Sequence, residues 1–390
     1  MTPPSQGGLL LYEPRTEGHH LNWLQMIVED LRWADLPVKL AVDLRPESEP
    51  RVRAQLGGLV PPSAWFNAYE PRTSKTQALA RCLARSGAAQ VFLCAFDEIA
   101  SALCRRAAWG FLPPAALRGR MGGIYHRPRF LAAPRWSPNR WLKRAGFTRL
   151  IRHGWLRPLL FLDEYIAAEL QRAWPQGEFS FLPGPCPPPY EGDRTAARRQ
   201  LGVPDMACIF LFYGGGYRRK GLHLAVRALL ELPAASAAFL LCVGEQDPSA
   251  DTARGLAELA SHNRARVLKR DHIPLAEERA AFVACDVVLL PYLRHFGTSD
   301  VLLRAMAAAK PVIVSEEQLL GRLTREYGLG LLFPSGNVRA LRECLRQAAA
   351  FSTSQTAAFA AAARRAAQRY SRQSFRQALL ASLRAPPPLH

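Results

Sequence analysis

Long apolar runs and cysteine motifs are both missing from this 390-residue sequence. No stretch is apolar for long enough to span a membrane, and the opening residues MTPPSQGG lack the features of a secretory signal. The eight cysteines show no CxxC spacing, and several fall within strand or helix patterns. We therefore expect buried thiols in a reducing compartment and predict a cytoplasmic protein.

Acidic residues are scarce: 32 Asp and Glu stand against 51 Lys and Arg, which gives a formal net charge of +19. Such a charge favours anionic partners such as nucleotides or phospholipid surfaces. An arginine-rich chain is also what biased codon usage produces, so charge alone does not choose a partner. Zinc-ligand spacing, RNA-binding aromatic motifs and a recognition helix are all missing, and we expect neither a nucleic-acid partner nor a metal site.

A proline cluster at 183–189 cannot continue a helix and predicts an interdomain linker. It separates an N-terminal domain, 1–182, from a C-terminal domain, 190–365, and a helix with a loose tail occupies 366–390. Two domains suit the chain length, and 49% hydrophobic residues suffice for two cores. Alternating strand and helix patterns predict an α/β protein with doubly wound sheets.

The segment 285–315 has the pattern strand, loop, helix, strand, with apolar strand-like runs at 287–290 and 312–314. The helix is preceded by Gly297, Thr298, Ser299 and Asp300. A glycine lets the backbone approach a ligand closely, and Ser299 or Asp300 is a suitable helix cap. Free amides and the positive end of the helix dipole suit a phosphate at this loop. An ordinary capped helix is the alternative interpretation.

A second segment pairs a strand-like run, 209–213, with a loop of glycines and cations before a helix pattern. The loop residues are Gly214, Gly215, Gly216, Tyr217, Arg218, Arg219, Lys220 and Gly221. Glycines give backbone access and cations give fixed charge, so the loop predicts an anion cradle for a diphosphate. The spacing is not that of a Walker A loop, and a solvated basic turn is the alternative.

Five motifs in a fixed order link the segment 208–345 to a known family. They are FLFYGGGYRRKG, FLLCVGEQD, CDVVLLPY, GTSDVLLRAMAAAKPVIVS and YGLGLLFPSGNVRAL. This segment resembles the C-terminal half of retaining glycosyltransferases with the GT-B fold, of the group 1, family 4-like type. The N-terminal half resembles them only loosely. The resemblance implies two Rossmann-like domains facing across a cleft, with the last helix crossing back onto the N-terminal domain.

The resemblance also implies an activity. A sugar would move from a UDP- or GDP-linked donor to a glycan, lipid or small-molecule acceptor, with retention of configuration. Arg219 and Lys220 would act as catalytic groups that neutralise the leaving diphosphate, while the amides of Thr298 and Ser299 hold the distal phosphate. Electrostatic stabilisation of this kind requires no metal and no cofactor beyond the sugar nucleotide.

Gly215 stands where the family usually has an arginine, for which Arg218 or Arg219 would substitute, and two acids are missing as well. Relatives carry two glutamates eight positions apart, where this chain has Phe296 and Arg304. Arg304 cannot accept hydrogen bonds from ribose hydroxyls because its side chain has donors only. Either Arg304 faces the nucleotide as an added cation, or the ribose site is lost and the chain is a degenerate relative that binds without turnover. Asp300, Glu316 and Glu317 are candidate replacement acceptors.

The N-terminal half opens with a βαβ pattern, whose strand ends are where ligands of doubly wound sheets bind. Gly18, His19 and His20 follow the first strand as acceptor-side candidates, and polar capping is their alternative role. Asp97 follows the strand at 90–95 and is predicted either to orient an acceptor hydroxyl or to cap a helix.

His126 follows the apolar run that ends near residue 125, and the resemblance places a histidine there beside the sugar. A structural hydrogen bond is its alternative role. The turn-rich stretch 61–73 is expected to be irregular.

Tryptophan and basic residues alternate along 136–155, a composition that suits the surface of an anionic membrane. The alternative is a basic surface helix whose apolar face, Trp141 with Ala145 and Leu150, packs inward. Peripheral membrane contact and a purely structural helix both remain open.

Overall fold

Two parallel β-sheets organise the chain. The computed structural model describes residues 8–17, 20–70, 72–132, 137–233, 236–245 and 249–384. Unit 1 takes the residues up to Pro183 together with those from Phe375 onward, and unit 2 runs from Gly184 to Ser374. Within the described residues, no helix combines the length and the apolar character that crossing a membrane requires.

Unit 1 contains a seven-stranded sheet in the order β3-β2-β1-β4-β5-β6-β7, and all neighbouring strands are parallel. Its elements are β1 Leu9–Glu13, α1 His20–Trp33, β2 Val38–Val42, α2 Glu49–Leu56, β3 Trp65–Asn67, α3 Lys75–Ser86, β4 Gln90–Leu93, α4 Asp97–Ala108, β5 Met121–Tyr125, α5 Arg129–Ala132, α6 Pro138–Arg152, β6 Leu156–Phe161, α7 Glu164–Ala173 and β7 Phe179–Phe181.

Unit 2 contains a six-stranded parallel sheet in the order β10-β9-β8-β11-β12-β13. Its elements, followed by the last helix of the chain, are α8 Arg194–Leu201, β8 Cys208–Tyr213, α9 Leu222–Leu230, β9 Ala238–Val243, α10 Ala250–Ser261, β10 Ala265–Leu268, α11 Leu275–Ala284, β11 Val287–Leu290, α12 Asp300–Ala307, β12 Val312–Ser315, α13 Gln318–Tyr327, β13 Gly330–Phe333, α14 Val338–Ala349, α15 Thr353–Arg369 and α16 Arg372–Arg384.

The last helix, α16, packs into the core of unit 1. Phe375 and Leu379 are fully buried in the same apolar cluster as Leu11 and Leu24. The Arg376 Nε atom lies 2.6 Å from Oδ1 of the buried Asp30. Burial of two large apolar side chains stabilises this docking by roughly 3–6 kcal/mol before the entropy of ordering is subtracted.

The proline-rich segment after residue 183 is held against unit 2. The Cys186 amide donates to the Tyr370 carbonyl oxygen at 2.7 Å, and its thiol donates to the Leu303 carbonyl oxygen at 3.1 Å. Cys186 is buried. These contacts fix a stretch in which several prolines lack an amide for regular secondary structure.

The predicted doubly wound α/β architecture is confirmed. The strand-like runs at 209–213, 287–290 and 312–314 are present as β8, β11 and β12, because buried parallel strands are short, continuous apolar runs that the sequence displays directly. The prediction that 61–73 is irregular is wrong at β3, where Trp65 pairs with Leu40 of β2. Strand β7 at the other edge was also missed. Three-residue edge strands carry too little periodicity to be recognised.

Candidate functional site

The two predicted loops of unit 2 lie side by side. Strand β8 adjoins β11 at the centre of the sheet, and the chain winds outward from this pair in both directions. This is the switch point of a doubly wound sheet, where ligands bind beyond the carboxyl ends of the strands. The loop 214–221 follows β8, and the loop 291–299 follows β11.

Gly221 allows these loops to touch. Its φ is +75°, and a Cβ atom there would stand 1.9 Å from the Pro291 carbonyl oxygen. The Leu293 amide donates to the Arg219 carbonyl oxygen at 2.8 Å. Only glycine satisfies both the left-handed backbone and the close approach.

The basic residues form one connected group. Arg218, Arg219 and Lys220 make a single 3-10 turn. The Lys220 Nζ atom lies 5.5 Å from the centroid of the Tyr292 ring. Arg219 Nη1 lies 3.1 Å from His295 Nδ1, and His295 Nε2 lies 3.1 Å from the Thr298 carbonyl oxygen.

Those two contacts indicate the hydrogen-bonding role of each ring nitrogen of His295. The guanidinium can only donate, so Nδ1 accepts, and Nε2 donates to the carbonyl oxygen of Thr298. His295 therefore connects the basic turn after β8 to the Thr298 carbonyl oxygen in the loop before α12. His295 was not predicted from the sequence, because a single histidine in a loop carries no spacing signal.

The loop before α12 has the expected backbone, with Gly297 at φ +90°. Ser299 occupies the N-cap position, but its side chain makes no capping hydrogen bond, and its Oγ lies 3.4 Å from the Tyr292 hydroxyl. Ser299 therefore occupies the predicted N-cap position, but a capping hydrogen bond from its side chain is not formed. The amides of the first turn are not satisfied by that side chain, an arrangement that suits an anion. Asp300 is exposed in the first turn.

Arg304 is engaged by a buried carboxylate. Its Nε lies 3.0 Å from Oε2 of Glu278 on α11, and Nη1 donates to the Asp300 carbonyl oxygen at 3.2 Å. The guanidinium carbon stands 5.9 Å from the centroid of the Tyr213 ring. Tyr190 and Tyr213 both donate their hydroxyls to Glu278, whose relative exposure is only 7%.

These contacts favour the ionised forms of both Glu278 and Arg304. Burial alone would raise the pKa of Glu278, but hydrogen bonds from Tyr190 and Tyr213 and the charge of Arg304 lower it below its usual value. Burial likewise lowers the pKa of Arg304, and the Glu278 charge more than offsets it. Arg304 thus stands at the position where the resemblance expects a carboxylate, paired with a carboxylate supplied by α11.

Unit 1 places its polar residues at a second switch point, between β1 and β4. Glu13 ends β1 with only 1% relative exposure, and its Oε2 lies 3.2 Å from His20 Nδ1. The Arg15 amide donates to Glu13 Oε1 at 3.1 Å, and the Arg15 guanidinium pairs with Glu98 at 2.9 Å. Gly18 and His19 lie outside the described residues.

Asp97 acts on the backbone beside His126. Its carboxylate accepts the amides of His126 and Arg127 at 2.8 and 2.9 Å. His126 Nε2 lies 2.8 Å from the Cys94 carbonyl oxygen, and its ring meets Trp23 edge-on at 4.9 Å between centroids. Asp97 therefore orders the loop after β5, while His126 is half-buried at the sheet edge where sugar contact was predicted.

Glu13 and Glu278 were not recognised as candidates from the sequence. Glu13 does carry a local signal, since it is an acid placed directly after the apolar run of β1. Glu278 carries none, because it comes from α11 and meets Arg304 only through the tertiary fold. The described residues contain no group of three or more His, Cys, Asp or Glu arranged to hold a metal ion.

The segment predicted to meet a membrane forms α6, apart from Trp136, which lies outside the described residues. Trp141 is 62% exposed, whereas Leu150 and Trp155 are buried. The inward packing of Trp141 that the structural alternative required is therefore wrong.

Comparisons with known proteins concern the fold of the chain and the sequence of unit 2. Nearly the whole chain superposes on solved glycosyltransferase structures. Anabaena HepE in complex with UDP-glucose matches with a TM-score of 0.66 and 16% identity, over 96% of this chain and 98% of that one. A glycosyltransferase from Rickettsia africae matches with a TM-score of 0.70 and 12% identity, over 97% and 98%. The chain thus has the GT-B fold.

Residues 207–350 match the family described as glycosyl transferases group 1. D-inositol 3-phosphate glycosyltransferases from Corynebacterium efficiens and Rhodococcus opacus are 35% and 32% identical to this chain, over 144 and 200 residues. These matches cover 35% and 50% of this chain, and the chain spans 33% and 44% of those relatives. The resemblance to group 1 glycosyltransferases is confirmed, and the family match lies within unit 2.

Proposed function

We propose that the chain is a cytoplasmic glycosyltransferase that moves a sugar from a UDP- or GDP-linked donor to a glycan, lipid or small-molecule acceptor, with retention of configuration and without a metal. One observation carries this proposal. A glycine loop with three consecutive cations meets an uncapped helix start at the switch point of unit 2. The solved neighbour HepE binds UDP-glucose, which supports a donor of the same class.

In this proposal unit 2 holds the donor. Lys220 and Arg219 neutralise charge on the leaving diphosphate, and the amides of Thr298 and Ser299 hold its distal phosphate. His295 links the two groups, because it accepts from Arg219 and donates to the Thr298 carbonyl oxygen. Fixed cations and amides stabilise a leaving group without reorganising during the reaction.

Unit 1 supplies the acceptor-side groups in this proposal. His20 is backed by the buried Glu13, and His126 is held beside Trp23. Histidines oriented by a carboxylate or a carbonyl oxygen present one defined nitrogen to a hydroxyl group. The acceptor hydroxyl would lie near the carboxyl ends of β1 and β4.

A binding protein without turnover is the second candidate function. The specific observation in its favour is the Arg304–Glu278 pair, which places a cation where relatives bind ribose. In this case the cation group still binds the diphosphate, and no sugar is transferred.

Lys220→Ala is expected to weaken binding of UDP or GDP by about 1–3 kcal/mol, because it removes one charged contact to the diphosphate. Isothermal titration calorimetry measures this change. Arg254→Ala is the matched control, since it removes the same charge from an exposed residue of α10 whose one ion pair among the described residues is with Asp251. Equal affinities for wild type and Lys220→Ala would remove the basic turn from the site.

We propose in addition that α6 contacts an anionic membrane surface. Trp141 is exposed and Arg144 lies one turn away on the same helix, so a ring and a cation are presented together. The protein is then expected to sediment with anionic vesicles and to be released by salt, because the attraction is screened.

Vesicle co-sedimentation tests this with two tryptophan variants. Trp141→Ala should reduce the bound fraction, whereas Trp33→Ala, at an equally exposed position on α1, should not. Equal recovery with neutral and anionic vesicles would leave α6 as a structural helix.

A further inference from the structure

A cavity of about 860 Å³ opens in unit 1, and the acceptor-side residues of that unit are not among its lining residues. Its walls come from residues 118–119, 151–157 and 173–177, which immediately precede or begin β5, β6 and β7. All strands of this sheet are parallel, so the cavity lies at their amino ends, whereas Glu13 and Asp97 lie at carboxyl ends. A volume of this size accommodates a small-molecule ligand.

Basic residues line the cavity, and none of the described residues that line it is acidic. Arg118, Arg152, His153 and Arg157 are among the lining residues. Arg118 Nε donates to the His153 carbonyl oxygen at 3.0 Å, which anchors its side chain at the wall. Arg157 Nη1 lies 4.0 Å from Oε1 of Glu178. Among the described residues, neither Arg118 nor Arg152 has a carboxylate within ion-pair distance.

Some exposed arginines elsewhere in the chain pair with a nearby carboxylate. Arg53 pairs with Glu49 at 2.6 Å and Arg81 with Glu70 at 2.9 Å. Among the described residues, three arginines line this cavity and one carboxylate, that of Glu178, lies within ion-pair distance of them, so the cavity has a local excess of positive charge, which attracts anions.

An aromatic ring adjoins this charge. The Arg152 guanidinium carbon lies 5.4 Å from the centroid of the Trp174 ring, and Trp174 is half-buried in the cavity wall. Guanidinium groups match phosphate oxygens through paired N–H donors, and an indole face accommodates a flat or apolar group. The cavity therefore combines recognition of an anion with recognition of the group attached to it.

We propose that this cavity is a second ligand site, which binds a phosphate-bearing compound with its phosphate between Arg118, Arg152 and Arg157 and its apolar or planar part against Trp174. The phosphate belongs either to a free metabolite or to a phospholipid headgroup. The site is separate from the proposed donor site, which lies in unit 2.

Calorimetry with inorganic pyrophosphate tests the site in the Lys220→Ala background, where the proposed donor site contributes little. Arg118→Ala/Arg152→Ala should weaken pyrophosphate binding roughly tenfold or more, because two charged contacts are lost. Arg364→Ala/Arg365→Ala, which removes two exposed arginines of α15, should leave it unchanged. Arg152→Ala alone breaks no hydrogen bond of the described residues and should still weaken binding, with an unaltered melting temperature.

Two further arms identify the source of the phosphate. The first arm measures binding to phosphatidylglycerol vesicles in the same variants. If vesicle binding requires Arg118 and Arg152 and pyrophosphate binding does not, the phosphate belongs to a lipid headgroup. A change in indole fluorescence on binding, caused by a changed environment of Trp174, should be lost in Trp174→Phe. The proposal is overturned if neither probe binds, or if the α15 control variant loses as much affinity as Arg118→Ala/Arg152→Ala.

Discussion

Arg304→Glu is expected to destabilise unit 2. The change places a second carboxylate beside Glu278, which is buried and 3.0 Å from the guanidinium it would lose. Breaking a buried ion pair costs about 3–5 kcal/mol, and the 29% exposure of the Arg304 side chain reduces this to roughly 2–3 kcal/mol. Urea unfolding monitored by circular dichroism measures the loss.

Two companion variants isolate the cause. Arg304→Glu/Glu278→Gln should recover most of the stability, because the like-charge contact is gone. Arg254→Glu reverses an exposed charge and should change stability by no more than about 0.5 kcal/mol. A stable Arg304→Glu variant that Glu278→Gln does not improve would contradict the pairing.

The same double variant separates the two candidate functions. If the ribose site has decayed, a carboxylate at 304 that is no longer opposed by Glu278 should raise sugar-nucleotide binding by about 1–3 kcal/mol. If the site has been rebuilt around arginine, the double variant should lose activity with its native donor. Donor binding and turnover like those of the wild type would place residue 304 outside the site.

Gly221→Ala is expected to cost more than about 2 kcal/mol of stability and to weaken nucleotide binding with it. A left-handed backbone costs a non-glycine residue roughly 1–2 kcal/mol. In addition, the new methyl group would meet the Pro291 carbonyl oxygen at 1.9 Å, so the two loops must separate.

Gly328→Ala is the matched control, because Gly328 has φ +64° and a Cβ there meets nothing within 4 Å. It bears the backbone strain without the collision. Denaturant unfolding and UDP titration of both variants should show the larger loss at 221. Equal losses would mean that contact between the loops is not required.

The fold of unit 2 was readable from the sequence because its inner strands, β8, β9, β11 and β12, are buried along nearly their whole length. Runs such as 287–290 are continuous, short and bounded by proline, and they reappear as β11. Edge strands such as β3 were not predicted, because three residues without an alternating apolar pattern resemble a turn-rich loop.

The site was only partly predictable. Gly221 and the basic turn were predicted correctly as a loop, because consecutive residues form a recognisable local motif. Glu278 and His295 gain their roles from contacts across the fold, to Arg304 and Arg219. From the sequence alone, Arg304 indicated only that an acid of the family is missing. The tertiary structure shows that Arg304 forms an ion pair with Glu278.

Release of nucleoside diphosphate from a panel of UDP- and GDP-sugars, supplied with mixed glycan, lipid and small-molecule acceptors, tests the central claim most directly. The proposed activity predicts release from at least one donor, slowed roughly tenfold or more by Lys220→Ala and unaffected by Arg254→Ala. Binding of nucleotides with no release from any donor would contradict the proposed transferase activity and establish the protein as a binding relative.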